Sequence, residues 1–235
     1  MKSFFAFILI LAVTSIQNQS FAQIAVGIIG GANISTAEIY KRPDYRTRDV
    51  ETITGYQFGA VFRYVSEKHV GMHIEFLYSR KGWRDVSAIE GEVDDQEHVR
   101  EINYLEIPFM THFIIGSKKV RILLEGGPYF GYALSSKEQY KNIETGEIES
   151  ESNFEWQDGV DNRLDYGLKG SGGFQFYFPF GAIEVKGFYS YGYGNIFLDK
   201  SEAVETSQNR NYGLNVGYMY FFGKKKNIKP KEVQQ

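Results

Sequence analysis

The chain has 235 residues, of which 43% are hydrophobic and 16% aromatic, with a formal net charge of −3 and no cysteine. Lack of cysteine excludes disulfide and thiolate chemistry, and the acidic balance gives nucleic acid no electrostatic foothold. A mean hydropathy below zero excludes a bundle of membrane helices. It is compatible with a barrel in which only one face of each strand meets lipid.

The N-terminus reads as a secretory signal over residues 1–22. Lys2 supplies the positive start, Phe4 to Val13 the apolar run, and Ser20-Phe21-Ala22 the small residues before a cut after Ala22. The apolar run is too short for a spanning helix, which needs roughly 20 residues. Residues 23–223 are expected to form one barrel domain, and 224–235 a basic tail.

From Gln23 onward, stretches of alternating apolar and polar residues are separated by short and long joints in turn. The first strand, about Ile24 to Ser35, is weak and glycine-rich. In the second, Tyr56, Phe58, Ala60, Phe62 and Tyr64 share one face, and Gln57, Gly59, Val61 and Arg63 share the other. The third sets Met72, Ile74, Phe76 and Tyr78 against His73, Glu75, Leu77 and Ser79. The fourth sets Leu105, Ile107, Phe109 and Phe113 against Tyr104, Glu106, Met110 and His112. The fifth opposes Val120, Ile122, Leu124 and Phe130 to Arg121, Leu123, Glu125 and Tyr129. The sixth opposes Leu164, Tyr166, Leu168 and Phe174 to Asp165, Lys169, Ser171 and Gln175. The seventh opposes Ile183, Val185 and Tyr189 to Glu184, Lys186 and Phe188. The eighth opposes Tyr212, Leu214, Val216 and Tyr220 to Asn215, Gly217 and Met219.

The short joints are Ser66-Glu67-Lys68, Gly116-Ser117-Lys118-Lys119 and Pro179-Phe180-Gly181. The long ones span roughly 36–52, 82–99, 135–161 and 196–209. This pattern predicts an all-β fold: an eight-stranded antiparallel up-and-down transmembrane β-barrel, with short periplasmic turns and long extracellular loops. An even strand count puts both termini in the periplasm and the protein in the cell outer membrane. Face parity adds a constraint. The second and third strands both turn odd residues inward, so an odd number of residues must join them. The fourth-to-fifth and sixth-to-seventh joints switch parity and must hold an even number.

Charges lie on one face only. A soluble barrel with the faces inverted would bury them in a dry cavity at several kcal/mol each unless paired. A polar lumen accommodates them, and eight strands leave an interior just wide enough for side chains. Arg63, His73, Glu75, Glu106, Arg121, Glu125, Asp165, Lys169, Glu184 and Lys186 are therefore expected to form a structural ion-pair plug. The loops 82–99 and 135–161 are acidic, and the tail from Lys224 is basic. Glu90, Glu92, Asp94, Asp95 and Glu97 lack the glycine-pivoted order of a calcium loop, so they read as solvated charge.

No zinc-protease, phosphate-loop or nucleophile-elbow motif is present. Gly170-Ser171-Gly172-Gly173 sits mid-strand with no helix after it and reads as strand glycine. His73 and His112 have Glu75 and Glu106 near them, but they lie on the lumen face, away from any substrate. No enzyme activity, cofactor or metal is expected from these residues.

Gly27, Gly31, Asn33 and Ser35 resemble an opening G-x-x-x-G-x-N-x-S strand. Tyr104-Leu105-Glu106-Ile107-Pro108 resembles a Y-L-E-I-P signature. Gly127-Pro128-Tyr129, Asp165-Tyr166-Gly167 and Tyr189-Ser190-Tyr191-Gly192 resemble later-strand marks. In order and spacing these are similar to the PorT-like family of porin-type outer-membrane β-barrels. The chain departs from that pattern at Ile29, where a basic residue is common, and in continuing past Phe222 into lysines. The resemblance implies an eight-stranded Gram-negative barrel without a defined substrate; the family's best-known member is linked to protein secretion, a role to which no residue here is tied. Together these readings predict a non-enzymatic outer-membrane barrel bathed in lipid. Its role would be structural or one of contact through loops 82–99 and 135–161, accessory to envelope biogenesis or secretion. A narrow pore or transport component is the alternative, and a barrel-embedded hydrolase is the third.

Overall fold

The computed structural model describes residues 23–41, 49–65, 69–89, 92–116, 119–142, 145–153, 155–156, 161–197 and 204–222. The expected signal segment, the basic tail and the Ser66-Glu67-Lys68 joint lie outside them. Among the described residues nine strands follow one another: β1 (Gln23–Lys41), β2 (Asp49–Val65), β3 (Val70–Ile89), β4 (Glu92–Gly116), β5 (Val120–Asn142), β6 (Ile148–Asn153), β7 (Leu164–Phe178), β8 (Gly181–Asn195) and β9 (Val204–Phe222). All pairings are antiparallel. Eight strands close a ring, because β4 pairs with β5 as well as with β3, and β1 joins β2 to β9. The short β6 adds to the free flank of β5 beyond the point where β7 leaves it.

The faces follow the alternation. Phe58, Phe76, Phe109, Leu124, Phe130, Leu168, Phe174, Leu214 and Val216 are exposed on the outside. So wide an apolar belt exceeds what a water-facing surface carries. Lipid can cover it, because the closed ladder leaves no strand edge in the belt. Tyrosines and phenylalanines rim the belt. Tyr56, Phe58 and Tyr78 cluster on one rim, with ring centroids 5.4–6.3 Å apart.

The registers obey the parity constraints. Val65 pairs with Gly71, leaving five residues between them. Gly116 pairs with Arg121 across four, and Phe178 with Gly181 across two. Gly181 has φ +153°, and a Cβ there would sit 2.6 Å from the Met219 carbonyl oxygen. Gly173 lies within β7, as expected for strand glycine; its Cβ would fall 2.0 Å from the Val185 oxygen, so only hydrogen lets these strands meet.

Strand length is the main correction. The regions expected as long loops are largely ladder. β1 continues through Lys41, where the expected strand stops near Ser35. β3 and β4 run through 82–99 as one hairpin with Ile89 opposite Glu92. Most of 135–161 is the top of β5 followed by β6. β4 alone has 25 residues, whereas a membrane-spanning strand needs about 9–11. Beyond the lipid both faces of a strand meet water, so the alternation that marks a strand in sequence fades while the backbone pairing persists.

Candidate functional site

The inward side chains of β2, β3, β4, β5, β7 and β8 form one buried chain of alternating charge. At its start, Gln175 and Arg63 both hold Glu184. Arg63 Nη2 donates to Glu184 Oε2 at 3.0 Å and to Glu125 Oε1 at 3.1 Å. Glu125 also accepts from His112 Nδ1 at 2.8 Å, Lys186 Nζ at 2.7 Å and Ser171 Oγ at 2.6 Å. Lys186 reaches Glu75 at 3.1 Å, and Lys169 bridges Glu75 at 3.3 Å and Glu106 at 3.2 Å. Lys81 then joins Glu106 to Asp165, which accepts from Tyr129 Oη at 3.1 Å. These charged side chains are 2% exposed or less. Burial of so many ions is tolerable because every carboxylate meets at least one cation and most meet two.

His73 sits at the hub. Arg63 Nε donates to its Nδ1 at 3.1 Å. The proton therefore lies on Nε2, which donates to Glu75 at 2.9 Å. The His73 and His112 rings lie parallel, 5.9 Å apart. One ligand atom from each of His73, His112 and Glu125 falls within 4.8 Å of the others.

Of the ten residues expected in the lumen network, nine are brought together. Arg121 is the exception: it lies toward the short-joint end and stacks on Tyr177, with its guanidinium 4.4 Å from the ring centroid and Nη1 donating to Tyr177 Oη at 3.0 Å. Lys81 and His112 belong to the network but stand outside that set of ten. Inward parity along β3 (73, 75, 77, 79, 81) is the signal that carries Lys81, once the strand is allowed to continue past Ser79.

Among the described residues, the inward side chains of β9 and β1 carry no charge. Ala25, Ile29, Val61, Leu77, Ala182 and Met219 form an apolar cluster there, and Gln57 donates to Asn215 at 2.9 Å across a glycine of β1. Toward the long-joint end, Ala37, Trp83, Ile102, Tyr104, Ala133 and Ile196 make a second cluster. Above it Arg100 lies 5.5 Å from the Trp83 centroid, 5.9 Å from Trp156 and 5.5 Å from Phe197. Asp161 and Glu138 stand 3.7 and 3.9 Å from it. This cap is not marked by alternation in the sequence, because Trp83 lies within the polar joint 82–99 and Arg100 at its edge. In the β3–β4 hairpin, Arg84 joins Glu97 at 3.2 Å and also Glu51. Glu97 is thus paired within the sheet; Glu90 lies outside the described residues.

The chain belongs to the outer membrane protein beta-barrel domain family, whose model matches residues 17–198. No curated protein matches significantly. Among solved structures, OprG of Pseudomonas aeruginosa is 13% identical with a TM-score of 0.53, covering 89% of this chain and 100% of its own. The attachment invasion locus protein Ail of Yersinia pestis, solved with a heparin analogue, is 17% identical with a TM-score of 0.39, covering 85% and 99%. The outer membrane protease OmpT of Escherichia coli is 10% identical with a TM-score of 0.44, covering 87% and 98%. At these identities the likeness to OprG speaks for the fold alone, and the protein is an outer-membrane β-barrel.

Proposed function

We propose that this barrel is a non-enzymatic wall and contact protein whose lumen is closed by its own side chains. The carrying observation is the unbroken charge chain from Glu184 to Asp165, which joins six of the eight ring strands. An ion crossing the lumen would have to part pairs whose side chains are buried. The buried histidines are held by Glu75 and Glu125, out of reach of a substrate in solvent.

In the same reading, residues 1–22 are a cleaved leader, both termini and the short joints face the periplasm, and 224–235 form a basic periplasmic tail. The acidic ends of the β3–β4 and β5–β6 hairpins face outside as a contact surface. The motifs at Gly27–Ser35 and Tyr104–Pro108 support placement in the PorT-like branch, with a role accessory to envelope biogenesis or secretion. Single-channel recording in planar bilayers tests the closed lumen. The expected trace has no conductance steps; steady steps would favour the narrow pore instead.

A further inference from the structure

We propose that His73, His112 and Glu125 form a lumen site for one divalent transition-metal ion of the zinc class, taken up in exchange for Arg63. This goes beyond the closed-wall reading, and its test is independent of conductance. Two imidazoles and a carboxylate are the donor set that zinc and its neighbours select. Tetrahedral zinc with bonds near 2.0–2.1 Å separates its ligand atoms by about 3.3 Å. Here Glu125 Oε1 lies 3.3 Å from His73 Nδ1 and 2.8 Å from His112 Nδ1.

The surroundings match the donor set. His73 Nε2–H is bound to Glu75, the outer carboxylate that orients a ligating histidine, so Nδ1 presents its lone pair to the site. His112 Nε2 is buried and has no hydrogen-bond partner among the described residues. It can carry the proton when Nδ1 turns to a metal, so binding needs only a change of tautomer there. Arg63 now serves two of the three ligand atoms, through Nε on His73 and Nη2 on Glu125. It keeps a second anchor in Glu184, to which both of its terminal nitrogens are bonded. A metal can therefore displace the guanidinium from Glu125 and His73 without leaving it unpaired. Lys186 and Ser171 stay on the other oxygen of Glu125. The site lies near the short-joint end, since His73 is the fourth residue of β3.

The experiment uses tag-free full-length protein in detergent micelles, titrated with Co2+ and, separately, loaded with Cu2+ for paramagnetic resonance. Wild type should take up one Co2+ with tetrahedral visible bands, and Zn2+ should displace it. The copper spectrum should carry coupling to two imidazole nitrogens. His112→Gln should weaken binding at least tenfold, in the range seen on losing metal-site support. Arg63→Gln should tighten it, because the competing cation is gone. Absence of tetrahedral bands, or equal binding by wild type and His112→Gln, would overturn the site. If His112→Gln does not fold, the wild-type copper spectrum decides, and fewer than two nitrogens sinks the proposal.

Discussion

Glu125 and Leu124 are neighbours in β5, yet they live in different solvents. Glu125 points inward and is held by Arg63, His112, Lys186 and Ser171. Leu124 points outward and is 52% exposed on the belt that lipid covers. Farther up the same strand, Lys137 and Gln139 hold Glu151 of β6 on the open surface at 2.9 and 2.8 Å. One strand thus carries a buried ion hub, a lipid face and a water-exposed ion pair. The same Glu–Lys chemistry should matter greatly in the first setting and little in the last. Dielectric surroundings, more than the pair itself, set its weight.

The comparison breaks most sharply at Glu125. Glu125→Ala leaves Arg63 and Lys186 short of a counter-charge in the lumen, and removing one partner of a buried pair costs about 3–5 kcal/mol. Urea unfolding in lipid vesicles should show a loss of that order; a change near zero would mean that water already screens the hub. Next comes Leu124→Arg, which places a charge on the lipid face. It should cost about 2–4 kcal/mol if this residue lies near the bilayer midplane, and less toward either rim. The same unfolding measurement therefore also reports its depth.

Smaller effects lie on the projecting hairpins. Arg84→Ala removes the exposed contacts to Glu97 and Glu51. Its expected cost is about 0–1 kcal/mol, fading with added salt. The smallest is Lys137→Ala. Hydrogen bonds from Lys137 and Gln139 hold the Glu151 carboxyl below its ordinary value of 4.5. A carboxyl lowered on folding favours the folded state above its ordinary range and loses that effect as pH falls through its folded value. Lys137→Ala should move the Glu151 titration upward in a carboxyl-resolved NMR experiment, with no measurable change in overall stability.

Parity carried the lumen further than the strand ends did. Period two placed Arg63, Glu75, Glu106, Glu125, Lys169, Glu184 and Lys186 inward without any knowledge of the ring, because a pleated strand in lipid must sort its faces. The same rule put Arg121 inward but could not say how near the end it lies. There an aromatic side chain, Tyr177, stacks on it and accepts its hydrogen bond. Lys81, Trp83 and Arg100 are not legible in this way, because the alternation fades where a strand leaves the lipid.

What the sequence determined by itself is therefore local: the strand faces, the parity of each short joint, the strands that ring a polar lumen, and the absence of thiol chemistry. These follow from covalent geometry and from the solvent each face must meet. The tertiary structure alone decided which inward residues touch. Arg63 finds Glu184 at a separation of 121 residues because ring closure and strand stagger bring β2 and β8 to one level. It also decided that the ladder outlasts the lipid, with β6 added where β7 departs. Backbone hydrogen bonds do not need an apolar face to continue, and a polar sequence leaves no period to mark them.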